Sequence, residues 1–250
     1  MVDYTIAEEY TLPSKGKIYD KAVDPVFKLR SMTTQDEMKR LGHSDREYKL
    51  LAEVIDDCTL TKNGISSYDM CLADYEFLMH KLRVVTYGPN YKTQSICPHC
   101  RALNDNVINL DELKIIPYTD EIKENLEFDL PVTKKHIKLR IQTPRLIDDA
   151  AQQVKEQGSR IGKDSDSNLL FTLLSLIETV DNQELDVVKR EQFIKSLPMR
   201  DTNKIIKKAG KIIDCFGIDK KVQLKCEKCG LVYTSSFRIT PEFFGPTEDD

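Results

Sequence analysis

The sequence predicts an α+β fold in which a four-cysteine ribbon, built from two distant knuckles, carries an inserted, mainly helical domain and an N-terminal extended arm. Three observations predict this fold. Two Cys-x-x-Cys pairs with strand-like flanks lie far apart in the chain, Cys97 with Cys100 and Cys226 with Cys229. The segment between the pairs contains several helical periodicities. The first 32 residues instead combine turn signals with a short alternating strand.

The composition is that of a globular protein with a substantial core. The chain has 250 residues, of which 40% are hydrophobic and 31% charged, so one large domain or two small ones are expected. The formal net charge of −4 disfavours a general phosphate-backbone binder, which needs clustered Lys and Arg. The longest apolar stretch, residues 169–177, is far shorter than the roughly 20 residues that cross a bilayer. We therefore expect no membrane contact, and the acidic N-terminus, unlike a secretory signal, indicates a cytosolic protein.

The N-terminal half of the chain is expected to form an arm followed by a helical segment. Residues 1–32 form the arm and short strands, with a turn at residues 12–16 and a strand at 26–30. Residues 33–90 form the helical segment. Within it, capping-box spacing at Thr34 with Glu37 and at Ser44 with Glu47 predicts helices at 34–42 and 45–57. A third helix at 71–85 has one apolar face and ends before Gly88.

Three further segments complete the predicted domain organisation. Residues 91–142 contain the first knuckle and a β-rich region, in which residues 136–141 alternate like a strand exposed on one side. Residues 143–217 form the helical domain, with Asp201 as the predicted cap of its last helix and helices at 144–157, 167–180, 187–196 and 201–215. Residues 218–250 form the second knuckle hairpin and a C-terminal tail.

The two Cys-x-x-Cys pairs indicate one structural zinc site. Each tight turn directs two thiolates at one ion, and two such turns fill the tetrahedral shell that structural zinc prefers, giving Cys97, Cys100, Cys226 and Cys229 as ligands. A redox pair would need a helix N-terminus in a βαβ setting, which neither pair has, and a cytosolic protein disfavours disulfides. His99 is an alternative ligand, but its place inside the turn favours an outward side chain. Whether the knuckles share zinc within one chain or between two chains stays open.

The remaining cysteines and the familiar catalytic motifs do not indicate a second site. Cys58, Cys71 and Cys215 lie in apolar, helical stretches, where Cys usually acts as a small buried hydrophobe. The sequence contains no nucleophile elbow, phosphate loop, zinc-protease motif or dinucleotide fingerprint. A four-thiolate shell also leaves no open position for water. We therefore expect no catalytic residues, no enzyme activity and no small-molecule substrate.

A basic stretch from Lys204 to Lys228 supports a different function. A zinc ribbon beside a basic helix is one arrangement that holds nucleic acid. The simpler interpretation is a solvated helix face, because the lysines between residues 204 and 211 lie opposite isoleucines. A nucleic-acid-binding zinc-ribbon protein therefore stays the alternative to a protein-binding one.

Several short motifs, in the same order along the chain, resemble the baseplate hub subunits and hub assembly proteins of T-even-type myovirus bacteriophages. The motifs are LPSKGKIY at residues 12–19, LRSMTT at 29–34, LRVVTYGP at 82–89 leading into CPHC at 97–100, and the second cysteine pair with PEFFGP at 241–246. Arg101 departs from the glycine that such ribbons commonly place there. The resemblance implies a structural protein of the contractile tail, present in the host cytoplasm during assembly and, if retained, in the virion tail baseplate.

The resemblance implies that the partners are other baseplate hub and tail proteins. Extended arms rich in aromatic and aliphatic residues dock on partners by strand addition or pocket anchoring, which makes Leu12, Tyr19, Phe243 and Phe244 the candidate contacts. The same side chains could equally pack onto their own domain. Whether the protein stays in the virion or acts transiently in assembly is also open.

Overall fold

The computed structural model of the chain describes residues 6–156, 167–236 and 241–244, which form a mixed structure of helices and small antiparallel sheets. The helices of these described residues are α1 Thr34–Arg40, α2 Lys49–Cys58, α3 Leu72–Tyr87, α4 Glu121–Asn125, α5 Pro144–Glu156, α6 Ser167–Leu176, α7 Val187–Ser196 and α8 Met199–Ile213. Three short 3-10 helices cover Ser67–Asp69, Leu110–Glu112 and Pro241–Phe244. None of the described helices has both the length and the apolar character required to cross a membrane.

The described strands pair in five antiparallel sheets. The strands are β1 Ala7–Thr11, β2 Val26–Arg30, β3 Asn90–Ile96, β4 Leu103–Asn109, β5 Ile115–Ile116, β6 Glu127–Asp129, β7 His136–Leu139, β8 Ile177–Val180, β9 Gln183–Glu184, β10 Gly217–Ile218, β11 Lys221–Lys225 and β12 Val232–Ser236. Four sheets have two strands each, β1 with β2, β3 with β4, β5 with β10, and β11 with β12, and the fifth has the order β6-β7-β8-β9. Strand β8 turns into β9 through Asp181 and Asn182, both at positive φ, as a two-residue hairpin loop requires.

Two hydrophobic clusters hold these elements together. The first cluster draws on β1, β2, α2, α3 and the 3-10 helix Pro241–Phe244, with Leu29, Ile55 and Leu78 completely buried. The second cluster lies among β7, β8, α5, α6 and α8, with Ile137 and Ile205 completely buried. The boundaries of the five predicted segments stay a prediction.

The short β5–β10 pair marks the place where the chain passes from one cluster to the other and back. Ile116 pairs with Gly217, and the Asp219 N–H donates to the Lys114 carbonyl at 2.8 Å. Gly217 has φ +100°, and an added Cβ there would lie 2.9 Å from the Ala73 side chain. Only glycine therefore fits this contact between β10 and α3.

The predicted helix caps are partly wrong. The capping box of α1 is formed by Thr33 and Asp36, one position before the predicted pair. The second predicted box does not form, because α2 begins only at Lys49 and the preceding Tyr48 N–H donates to the Asp148 carboxylate of α5 at 3.1 Å. This tertiary hydrogen bond forms in place of the local capping box. Helix-start patterns in the sequence carry no information about it.

Two predicted helices of the second half also differ from the structure. The predicted helix 167–180 ends at Leu176, since Ile177–Val180 instead pairs with β7 as strand β8. The last helix begins at Met199, after Pro198, and Asp201 lies inside its first turn. The Asp201 carboxylate accepts hydrogen bonds from the Val132 and Thr133 N–H groups at 2.8 and 2.9 Å, so it ties α8 to the β6–β7 turn.

Candidate metal centre

The first cysteine pair lies in the tight turn between β3 and β4. The Cys97 N–H donates to the Ala102 carbonyl at 2.9 Å, and the Arg101 N–H donates to the Cys97 carbonyl at 3.0 Å. These two bonds close the turn and direct the Cys97 and Cys100 side chains to one side. Arg101 takes a φ of 60°, a left-handed conformation that is uncommon for a residue with a Cβ.

The second pair repeats this backbone arrangement between β11 and β12. The Cys226 N–H donates to the Leu231 carbonyl at 2.9 Å, and the Gly230 N–H donates to the Cys226 carbonyl at 2.9 Å. Gly230 has φ 72°, so Arg101 takes in the first knuckle the conformation that glycine takes in the second. The departure noted at Arg101 therefore leaves the turn geometry unchanged.

The four cysteine sulfurs converge on one point, as the sequence predicted. All four Sγ atoms lie within 4.8 Å of one another. The Sγ–Sγ distance is 3.8 Å from Cys97 to Cys229 and 3.6 Å from Cys100 to Cys226. A tetrahedral ion with bonds of about 2.3 Å to sulfur separates its ligands by about 3.8 Å. A disulfide would need about 2.05 Å, so these are four thiols with the spacing of a metal shell.

The surroundings of the sulfurs stabilise the thiolate form of Cys226 more than the thiolate form of Cys229. The N–H groups of Cys229 and Lys228 lower the pKa of the Cys226 thiol to about 6. The Leu231 N–H favours the Cys229 thiolate, but desolvation and the three neighbouring sulfurs together raise the pKa of Cys229 to about 11. Four thiolates at this spacing repel one another, so ionising all four without a metal is costly in free energy. A divalent cation removes that repulsion. Cys97 and Cys226 are fully buried, Cys100 is half-buried and Cys229 is exposed.

Side chains outside the knuckles join the two hairpins beside this centre. The buried Asn104 accepts a hydrogen bond from the Glu227 N–H at 3.0 Å, and Ser95 Oγ lies 2.6 Å from Tyr233 Oη. The sequence patterns did not predict these residues. Of these residues, only Asn104 could have been singled out from the sequence. It is an amide at an inward-facing position of the strand that directly follows a knuckle, and a buried amide needs a hydrogen-bond partner.

The other predicted residues lie elsewhere. His99 is exposed within its turn and is not part of the four-sulfur cluster. Cys58 is buried in the first cluster, Cys71 is buried in the second, and Cys215 packs half-buried against the second.

The four candidate partner contacts are covered by the chain itself. Leu12, Phe243 and Phe244 are buried in the first cluster. Tyr19 is partly buried, and its hydroxyl donates to the Asp74 carboxylate at 2.7 Å. A partner could contact these side chains only after the segments that carry them leave their sites, and their role as contacts stays a prediction.

Comparison with known proteins identifies the family. The model of the family described as T4 bacteriophage base plate protein matches residues 4–245, nearly the whole chain. The chain belongs to this family. For this base plate protein, neither the search of curated proteins nor the search of solved structures found a match. The family implies association with the phage tail and contact with other tail proteins.

Proposed function

We propose that this base plate protein is a non-enzymatic component or assembly factor of the baseplate hub, acts through contacts with other tail proteins, and holds one structural zinc at its four cysteines. The family match over residues 4–245 carries the tail assignment. The hub, as the more specific location, rests on the motif resemblance.

The geometry of the sulfurs supports zinc. Four thiols of one chain converge, two of their Sγ–Sγ distances match those of a tetrahedral shell, and side-chain hydrogen bonds tie both hairpins together around them, which fits zinc. Cys97, Cys100, Cys226 and Cys229 would hold the ion, which would cross-link the β3–β4 and β11–β12 hairpins. The cluster forms within a single chain, which favours an ion that is not shared between chains.

The buried titratable groups support a non-enzymatic role. His80 is almost fully buried, and burial lowers its pKa to about 4. Its Nδ1–H lies 2.7 Å from the Glu76 carbonyl of the same helix, and its ring packs on Phe243. Burial likewise raises the pKa of Cys71, which disfavours a reactive thiolate. Both residues serve the packing of α3.

Metal analysis of the purified chain tests the zinc site. We expect about one zinc per chain and, because metal binding and ribbon folding are coupled, loss of the zinc and of the ribbon in Cys226→Ser. Cys215→Ser is the matched control, since the Cys215 thiol donates to the Ile212 carbonyl outside the centre and a hydroxyl can replace it. A folded, zinc-free wild-type protein would refute the site.

Infection with a phage that lacks this gene tests the hub assignment. We expect baseplates without a hub to accumulate, and complementation by the wild-type gene to restore infectious particles. Mass spectrometry of purified virions then separates a subunit, which is retained, from a transient assembly factor, which is absent. Normal baseplates formed without the gene would contradict the proposal.

A further inference from the structure

Helix α8 has an outer surface that the described part of the fold does not use. Its inner face, with Ile205, Ala209 and Ile212, is buried in the second hydrophobic cluster. The rest of its circumference carries two adjoining features: a row of apolar and small residues that borders the buried face and is at least partly exposed, and beyond it a row of cations.

The apolar row follows the period of a helix-packing seam. Met199, Ile206 and Ile213 recur every seven residues and are 61%, 40% and 39% exposed. Asn203 and Gly210 lie between them, so the α8 seam, defined as these five residues, runs along the helix at alternating four- and three-residue steps. This is the spacing by which one helix packs along another. The seam is about 21 Å long, at 1.5 Å per residue.

Gly210 is unusual because nothing in the described chain requires a glycine there. An added Cβ at Gly210 would meet no atom within 4 Å. Glycine inside a helix costs stability relative to alanine, and in this case the described fold gains no close contact in return. The missing side chain does leave a recess between Ile206 and Ile213, where the side chains of a second helix can approach closely.

The cationic row lies along one flank of the seam. The α8 cation row consists of Arg200, Lys204, Lys207 and Lys211, which are exposed and spaced by four, three and four residues. Within the described residues none of the four forms an ion pair, so like charges repel along the helix. Lys208 of the same helix differs, because its ammonium donates to Asn125 Oδ1 and lies over the Phe128 ring.

We propose that the outer surface of α8 docks an acidic amphipathic helix of another phage tail protein. Apolar side chains of that helix pack on the α8 seam around Gly210, and its carboxylates neutralise the α8 cation row. This inference rests on the proposed function, which assigns the chain to protein contacts within the tail. A nucleic acid fits less well, because phosphates would pair with the cation row and leave the apolar seam in water.

A binding measurement with charge-matched variants tests this surface. The tail proteins encoded by the same phage, each purified, are titrated against the full-length, zinc-loaded chain. We expect one of them to bind, and Lys204→Glu/Lys207→Glu/Lys211→Glu to weaken that binding at least about tenfold through like-charge repulsion. The control Lys17→Glu/Lys62→Glu/Lys114→Glu makes the same change in net charge at exposed sites elsewhere and should stay within about threefold of the wild type.

A seam variant and a DNA probe complete the test. Gly210→Gln introduces a better helix former but fills the recess, and it should also weaken binding about tenfold while circular dichroism shows that the helix is retained. If a tail protein binds all variants equally, this inference is overturned and the proposed function stands. If no tail protein binds the wild type, the proposed function and the inference both fail. Binding of duplex DNA that depends on the α8 cation row, without such a protein, would overturn the inference in favour of nucleic acid.

Discussion

Asp74 fastens the N-terminal turn to α3, so its removal should destabilise the first hydrophobic cluster. Its carboxylate is completely buried and accepts hydrogen bonds from the Ser14 N–H at 3.0 Å, from Ser14 Oγ, and from the Tyr19 hydroxyl at 2.7 Å. Ser14 is itself completely buried. In Asp74→Ala both Ser14 donors would lose their partner and find no water, whereas the partly buried Tyr19 can turn toward solvent.

The expected loss follows from those two stranded donors. Each unsatisfied buried group costs about 1–3 kcal/mol, so we expect Asp74→Ala to lower the free energy of unfolding by about 3 kcal/mol. Asp74→Asn keeps the shape and an acceptor for the Ser14 N–H, and its amide can donate to either hydroxyl. We expect it to change stability by less than about 1 kcal/mol at pH 7.

Urea denaturation followed by circular dichroism measures these changes, since the chain has no tryptophan for fluorescence. Asp111→Ala is the control, because it removes an exposed carboxylate that, among the described residues, pairs only with Lys81, and it should cost no more than about 0.5 kcal/mol. If Asp74→Ala were as stable as this control, the assigned hydrogen bonds would be refuted.

The pH dependence of Asp74 gives a second measurement on the same variants. Burial raises the pKa of the Asp74 carboxyl above its ordinary value of 3.8, against the opposing effect of its hydrogen bonds. Between these two pKa values the folded state holds the proton more tightly, so the free energy of unfolding falls as pH rises. Asn has no such proton. The stability of the wild type minus that of Asp74→Asn should therefore decrease with rising pH in this window, and an increase would contradict the assignment.

Two further predictions concern the C-terminal segment and the second knuckle. Phe243→Ala should lower the free energy of unfolding by about 3 kcal/mol, since Phe243 is completely buried against the His80 and Tyr91 rings. If stability were unchanged and partner binding were lost, Phe243 would instead be a partner contact. Gly230→Ala should weaken the ribbon by about 1 kcal/mol, through backbone strain alone, because its φ is +72° and no atom of the described residues lies within 4 Å of the added Cβ. Chelator competition for the metal measures this second effect, and an unchanged affinity would show that the turn relaxes.

Local patterns in the sequence were sufficient where one element decides its own structure. Strand β2 at Val26–Arg30 and helix α7 at Val187–Ser196 have the predicted bounds, and the α7 cap is the Asp186 carboxylate immediately before it. Strand β2 alternates between buried and more exposed side chains, and α7 is bounded by the Asp186 cap and by the nearby Pro198. Each cysteine pair was predictable for the same reason, because each knuckle is a self-contained turn, and the four-ligand preference of a structural metal indicated that the two turns meet.

Apart from the one-position shift of the α1 capping box, the errors lie where a distant residue changes the outcome. Asp148 binds the Tyr48 N–H from 100 positions away and moves the start of α2. The apolar pattern around Ile177 predicts that the buried helix α6 continues through it, but Ile177 pairs with Leu139 in the sheet. Asp201 resembles a cap and instead binds the β6–β7 turn. In each case a tertiary hydrogen bond outweighs a local preference of a few tenths of a kcal/mol to about 1 kcal/mol.

The β5–β10 pair explains how two knuckles separated by 125 residues can share one ion. If the ion were the first contact between the knuckles, its binding would have to close the entire segment between them as one loop. With Ile116 already paired to Gly217, the loop left to close is only roughly 25 residues long, which reduces the entropic cost of closure by about 1.4 kcal/mol. The Asn104 and Tyr233 hydrogen bonds then align the hairpins. The rest of the fold therefore shortens the loop that the metal has to close, and the metal supplies the remaining cross-link between the two hairpins.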